Sequence, residues 1–550
     1  MTRTLLIALL LAAPVAAQSS RTWIEVTPQG VFPRGEVAHE TSAAKLANPN
    51  PSAAGLRWTY AAPAATPWIT ERVSVGNLGT LAWLGQNQNG ERVSLLSTTE
   101  DAAPPATLYE NLLTNSDLVM LAAADKGWAC AVTRCVVASN LYEFRYSTGS
   151  SAAPVYTVPV PVGAGTGCPE PAISADGSRA AIGYTDGAGL ATVDVWDAAG
   201  SMVNTLVVPT GSFREHDLSG DGSTVLIATG NHDWLYDVDT GALLFDDGST
   251  VSTDAHAISG DGKAWGRGGF DVGAWVFNGS TYVRVVNFVD GGFGFFVPLA
   301  CGISADGSTF AAAAYDATNA NKFRVYAWHL TPSGSTLLWT YIKTGTGALQ
   351  DAPAAVSLSD DGRWIAVGSW GNASQSHPEA LLFDRDAGNV PVASVDTPGS
   401  VFDLDLSGDG QFIVIGTKAV HANDFGNGGE GYSFDRGGQG QWLTGTPSIG
   451  QSITLHFGGN PGDAVFLFVG LSLLSTPLHD PGTMTGDFFL TPAGVVLNSL
   501  FVGNVPAGGT LAATSNIPNV PAIVGLNLYT QPVRTPEKAI DNFLTLALTP

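Results

Sequence analysis

Six times along this chain a serine is followed two residues later by an Asp-Gly pair, with Ile or Leu in front and an apolar run behind. The copies read AISADGSRAAIGY from residue 172, DLSGDGSTVLIATG from 217, AISGDGKAWGRGG from 257, GISADGSTFAAAAY from 302, SLSDDGRWIAVGS from 357 and DLSGDGQFIVIGT from 405. Their aspartates are Asp176, Asp221, Asp261, Asp306, Asp361 and Asp409, spaced 45, 40, 45, 55 and 48 residues apart. Weaker copies at 74 (Asn77, Gly79) and 121 (Asp125, Gly127) bring the number of units to eight. Self-similarity at this period belongs to solenoids and propellers.

Asp-Gly is a hairpin signal, because Gly takes positive φ without steric cost and Asp bonds its own backbone. Each unit holds four short β-rich runs, the third ending in an aromatic and Asp, as in VDVWDAAG from 193 and ALLFDRDAG from 380. Four strands per unit of 40–50 residues is the pattern of a propeller blade. The fold expected is therefore all-β: an eight-bladed, alternatively seven-bladed, β-propeller over 56–437, followed by a C-terminal β-sandwich over 438–550. A chain of calcium loops would need carboxylates at alternating positions, and most copies carry one acid among Gly, Ala and Ser. The segment LRWTY at 56–60 echoes LLWTY at 337–341, a fourth strand in its own unit. It precedes the first unit, so it is expected to complete the last blade and close the ring, which removes free sheet edges.

The units resemble bacterial WD-repeat-like propellers across 56–437, a resemblance that implies a fold and no activity. DVDTGALLF from 237 is similar to quinoprotein blades but occurs once, so that cofactor is not expected. Past 438, GTPSIGQSITL, NPGDAVFLFVGLS and NIPNVPAIVGLNLYTQ resemble a C-terminal module that recurs on exported proteins of some environmental bacteria. The resemblance implies a role in sorting or surface attachment. That family's common cysteines are missing here.

Residues 1–17 read as a signal peptide, with Arg3, an apolar run and VAA before the expected cleavage after Ala17. Residues 18–55 form an N-terminal extension. The protein is expected to be secreted or held at the cell surface, with the periplasm as the alternative. No later stretch is apolar for about twenty residues, so membrane insertion is not expected. Lys and Arg number 24 against 48 acids, a net charge of −24 that opposes nucleic-acid binding. A monomer is expected. Cys130 and Cys135 are expected to form a disulfide across a tight loop; Cys168 and Cys301 are left open.

No Gly-x-Ser-x-Gly elbow, His-Glu-x-x-His or P-loop is present. The best constellation lies on the first strands, which should line the channel. Two residues before the Ile or Leu stand Pro171, His216, His256, Cys301, Val356 and Leu404, with Glu170, Glu215, Asp217, Asp403 and Asp405 alongside. Two histidines in equivalent places, with carboxylates near, suit a metal or acid–base pair. Strand alternation, however, puts His216 on the face opposite Glu215 and Asp217. Loops at the channel mouth carry Phe293, Phe295, Phe296, Trp370, His377, His421 and Phe425, an aromatic rim suited to a sugar or peptide. Asp424, Asn427 and Glu430 make calcium the one cofactor to consider. The function expected is that of an exported, non-catalytic binding or scaffolding protein, with a protein or glycan partner at the mouth. The alternative is an exported hydrolase or lyase acting on polysaccharide or peptide in the channel.

Overall fold

The structure is a computed structural model of the 550-residue chain. It describes the strand pair Trp23–Thr27 and Gly30–Arg34 and, apart from a number of connecting loops, residues 55–548. The chain divides into two compact units. One comprises residues 56–98 and 102–434, the other 1–55, 99–101 and 435–550.

The larger unit contains, among the described residues, eight antiparallel sheets of four strands. Their innermost strands are Ile69–Val75, Leu118–Ala123, Pro171–Ile173, Phe213–Leu218, Thr253–Ile258, Phe296–Ile303, Pro353–Leu358 and Val401–Leu406. Each packs against the next, and the eighth packs against the first, so the ring is closed. Seven sheets use four consecutive strands. In the eighth, Val401–Leu406, Phe412–Thr417 and Gly431–Asp435 are joined by Gly55–Tyr60, which takes the outermost place. The LRWTY segment therefore closes the ring as its echo suggested. It is fixed by burial: Trp58 is 1% exposed and packs in one cluster with Leu84, Leu96 and Val414. A fully buried side chain of this size contributes on the order of 3 kcal/mol.

Five of the six Asp-Gly corners, those whose aspartate is described, are built the same way. The Ser Oγ of residues 174, 219, 259, 304 and 359 donates to the Asp Oδ1 two residues on, at 2.5–3.1 Å. The same Oδ1 accepts the backbone N–H two residues further, at 2.8–3.0 Å. The Ser Oγ in turn accepts the N–H that starts the second strand; Thr224 N–H donates to Ser219 Oγ at 2.9 Å. These serines and Ser407 are fully buried, and Gly177, Gly222, Gly262, Gly307, Gly362 and Gly410 hold φ between 65° and 72°. With both groups occupied inside the turn, the motif is a folding device and its aspartate is not a vacant ligand.

The residue between Ser and Asp does a second job. Ala175 N–H donates to Gly220 O, Asp221 N–H to Gly260 O, Gly260 N–H to Ala305 O, Asp306 N–H to Asp360 O and Asp360 N–H to Gly408 O, at 2.8–3.2 Å. The corners of the third to eighth sheets are thus linked in a backbone belt at one end of the channel. A Cβ on Gly260 would lie 2.9 Å from Ala305 O, and one on Gly220 3.0 Å from Gly260 Cα. Small residues recur there because neighbouring turns touch.

In the smaller unit, Gly440–Thr444, Ser452–Gly458 and Thr510–Asn516 form one sheet, and Val495–Asn504, Ala464–Gly470 and Asn527–Thr535 are three successive strands, from one edge inward, of a five-stranded second. Ile453, Leu455 and Phe457 of the first share a core with Val465, Leu467 and Val469 of the second. Alternate residues of both sheets thus meet in one apolar layer. A buried Arg534–Asp463 pair at 3.0 Å braces one end.

The expected Cys130–Cys135 disulfide is corrected. Cys130 is a free, buried thiol. Both residues sit in the single strand Ala129–Val136, not on a loop. Five extended residues separate them by about 16 Å and place them on opposite faces, whereas a disulfide needs Cα atoms within about 7 Å. Cys135 is disulfide-bonded, Cys301 is free, and Cys168 lies outside the described residues.

Candidate functional site

All eight innermost strands line a central cavity of about 640 Å³. Because the innermost strands run side by side along the channel in separate sheets, without a shared backbone ladder, side chains must bridge them. Phe213–Leu218 shows how alternation sorts this work. Glu215 and Asp217 reach toward the fifth sheet, while His216 turns to the third.

His216 is 6% exposed, packs on Phe213 with ring centroids 5.5 Å apart, and lies against Gly183, where a Cβ would come within 2.9 Å of its Nδ1. Neither ring nitrogen finds a partner of normal hydrogen-bond geometry. Burial lowers its pKa to about 4, with the nearby Ala181 backbone opposing. At neutral pH it is an uncharged wall residue.

His256 is different. Its Nδ1 meets Glu215 Oε2 at 2.9 Å and its Nε2 meets Asp233 Oδ1 at 3.1 Å. Arg267 Nη1 donates to Asp233 Oδ2 and to Asp247 Oδ2, both at 2.7 Å. Burial alone would depress the His256 pKa, but the facing carboxylates of Asp233 and Glu215 overcome it and raise the value to about 10. The result is a chain of alternating charge, Glu215–His256–Asp233–Arg267–Asp247, buried except at Glu215, that ties the fourth sheet to the fifth. Its members are paired with one another, so the two histidines do not converge on one ligand. Asp233 and Arg267 were not legible as partners in the sequence, since they stand 23 and 11 residues from His256 on other strands.

Carboxylates on the innermost strands act as inter-sheet acceptors. Asp217 Oδ2 accepts Ile258 N–H at 3.2 Å. Asp403 Oδ2 accepts Val73 N–H at 2.9 Å. Asp405 Oδ2 accepts Val75 N–H at 2.9 Å and Ser74 Oγ–H at 3.0 Å, and its Oδ1 accepts Ser357 Oγ–H at 2.8 Å. Asp405 therefore joins the seventh, eighth and first sheets at the seam where the ring closes. Burial raises Asp217 to about 7 and Asp403 to about 6.

At the mouth, the end opposite the corner belt, the expected aromatic rim is corrected in part. Phe293 and Phe296 are 9% and 6% exposed and pack on each other, 5.7 Å between centroids. Arg324 lies over Phe293 at 4.6 Å and also pairs with Asp290, which accepts Tyr326 Oη–H at 2.6 Å. Phe293 and Phe296 thus belong to the core between sheets five and six. Trp370 is half-buried and faces Phe402 at 6.5 Å. His421 Nε2 meets the fully buried Glu379 Oε1 at 3.0 Å, and Thr397 N–H donates to Oε2 at 2.8 Å. Burial pushes Glu379 up to about 7. Phe295, His377, Phe425, Asp424, Asn427 and Glu170 lie outside the described residues. Glu430, the described member of the expected calcium loop, binds Thr417 through its backbone. His232, Asp246 and Asp247 approach within 4.8 Å of one another. The guanidinium of Arg267 already neutralises Asp247 there.

The closed ring of four-stranded antiparallel sheets makes the larger unit a β-propeller. No protein-family model and no curated protein matches the chain. Among solved structures it is similar to the C-terminal WD40 domain of Sif2, with 13% identity over 70% of this chain and 98% of that one and a TM-score of 0.48. The assignment rests on this chain's own strand order and ring contacts. No described helix is long and apolar enough to cross a membrane.

Proposed function

We propose that this is an exported, non-catalytic binding protein that recognises a protein or glycan at the mouth of the propeller channel, with the C-terminal sandwich serving sorting or surface attachment. One observation carries the reading: His256, Glu215, Asp217, Asp403 and Asp405 all hold one sheet to the next. A general acid or nucleophile needs a free lone pair or proton aimed at substrate. These groups direct theirs at the fold. A rigid ring with variable mouth loops suits recognition instead.

The second reading, a hydrolase or lyase in the channel, draws on Asp217 and Asp403, whose raised pKa values would let them carry a proton near neutral pH. The test applies the purified full-length protein to glycan and peptide arrays, with and without EDTA, alongside turnover assays on mixed polysaccharide and peptide substrates. Binding hits that vanish in Trp370→Ala support recognition at the mouth. Turnover abolished by Asp217→Asn would replace it with the enzyme reading.

A further inference from the structure

Resting on the binding reading above, the geometry points to a partner class: we propose that the mouth takes a lysine or arginine side chain of a partner polypeptide, laid on Phe402 and Trp370. Trp370 is the first residue beyond the strand Trp364–Ser369, at the mouth end of the seventh sheet. Phe402 belongs to the innermost strand of the eighth sheet and lines the central cavity. Their rings stand 6.5 Å apart at 38°, both half-buried, leaving aromatic surface at the lip of an open channel.

The protein itself shows what this surface accepts. Lys418 brings its ammonium over the Phe402 ring, 5.9 Å from the centroid. An aromatic face attracts a cation through its quadrupole, and more strongly when water is excluded. Lys418 is thus an internal occupant of the place a partner's cation would take.

The platform is also held still. Trp370 O accepts Ser400 Oγ–H at 2.7 Å, and Trp370 N–H donates to Ala352 O at 2.9 Å. The Glu379–His421 pair lies directly against Gly371, where a Cβ would meet Glu379 at 2.5 Å and His421 at 2.6 Å. A pre-organised aromatic pair loses little freedom on binding.

Charge selects the occupant. Glu215, Asp217, Asp403 and Asp405 line the same cavity against Arg72 and His256, and the whole chain carries −24. That field draws in cationic segments and repels anionic ones. A neutral sugar would gain nothing from it.

The test uses full-length protein and isothermal titration calorimetry with a positional library of short peptides, each carrying Arg, Lys, Gln or Glu at its centre, and with spermine as a free amine. The expected result is that the best Arg or Lys peptide binds at least about tenfold tighter than its Gln form. Trp370→Ala removes this preference and Trp370→Phe keeps it, while Lys418→Ala tightens binding severalfold by removing the internal competitor. Thermal melts confirm that each variant is folded. Equal affinity for Arg and Gln forms, an unchanged preference in Trp370→Ala, no gain in Lys418→Ala, or spermine binding as tightly as peptide would each overturn the proposal. If array hits on neutral peptides or glycans depend on Trp370 while basic peptides fail, this inference falls and the recognition reading stands. If nothing binds at the mouth, both fall.

Discussion

Replacing His256 with Gln separates a structural histidine from a functional one. The imidazolium is buried between Glu215 and Asp233, with side-chain exposures of 0%, 27% and 1%. Removing one partner of a buried ion pair typically costs about 3–5 kcal/mol. Two features place this case near the lower end, at about 3 kcal/mol. Asp233 keeps Arg267 at 2.7 Å, and Glu215 is exposed enough for water to screen it. The penalty should depend on pH. The folded pKa, about 10, lies above the ordinary 6.5. Protonation of His256 therefore adds stability that is complete below about pH 6.5 and is lost as pH rises towards 10. Gln cannot titrate, so the difference between wild type and variant should be largest at pH 6 and shrink by pH 10. Urea unfolding followed by tryptophan fluorescence at pH 6, 8 and 10 gives that difference, since titrations remote from His256 cancel between the two proteins and a carboxylate facing it ordinarily titrates below this range. A penalty that does not vary with pH would refute the charged-network account. Intact stability combined with lost ligand binding would refute the structural role itself.

Three further outcomes follow from the same geometry. Gly260→Ala should destabilise by about 2–3 kcal/mol, through a Cβ pressed onto Ala305 O and strain on two belt hydrogen bonds, whereas Gly187→Ala, with nothing within 4 Å, should stay within about 0.5 kcal/mol; equal urea midpoints would contradict the belt. Asp217, raised to about 7 in the fold from the ordinary 3.8, favours the fold fully below about pH 4 and loses that contribution as pH climbs to 7. The decline in wild-type stability across that range should be shallower in Asp217→Asn, as read from melting temperatures at pH 4.5 to 8. Cys130 and Cys301 are buried with thiol pKa values pushed well up, so a thiol reagent should label neither in the native protein and both after unfolding; rapid native labelling would contradict their placement.

Much of the propeller was legible because its signals are local. The Ser-x-Asp-Gly corner is complete within six residues, so reading one copy reads them all. The closing strand was visible because LRWTY and LLWTY share the pattern of an outermost strand. What escaped was whatever depends on two strands meeting. Alternation correctly sent His216 away from Glu215 and Asp217, but it names a face and no partner, so Asp233 and Arg267 were missed. The belt left a trace that spacing alone could not interpret, the run Ala175, Gly220, Gly260, Ala305 and Gly408 between Ser and Asp. Phe293 and Phe296 looked like rim residues because they lie in a Gly-rich loop, yet Arg324 and Asp290 fold that loop onto the core. Cys130 and Cys135 looked like a loop pair because proximity in sequence is blind to extension.

The same contacts change how the acidity of this chain should be understood. A surplus of 24 carboxylates suggests a charged binding surface or a solubility device. Instead, aspartate after aspartate accepts a backbone N–H. Asp176, Asp221, Asp261, Asp306 and Asp361 do so in the corners. Asp186, Asp197 and Asp237 do so in the hairpins of the outer strands, and Asp217, Asp403 and Asp405 do so between sheets. A ring of small radial sheets has many turns and many unladdered N–H groups for its length, and a short carboxylate satisfies both without needing a cation. The acidity thus follows from the architecture. The negative field it creates along the channel is then available to select what enters, which is why the aromatic lip and its resident Lys418 are the place to look for a ligand.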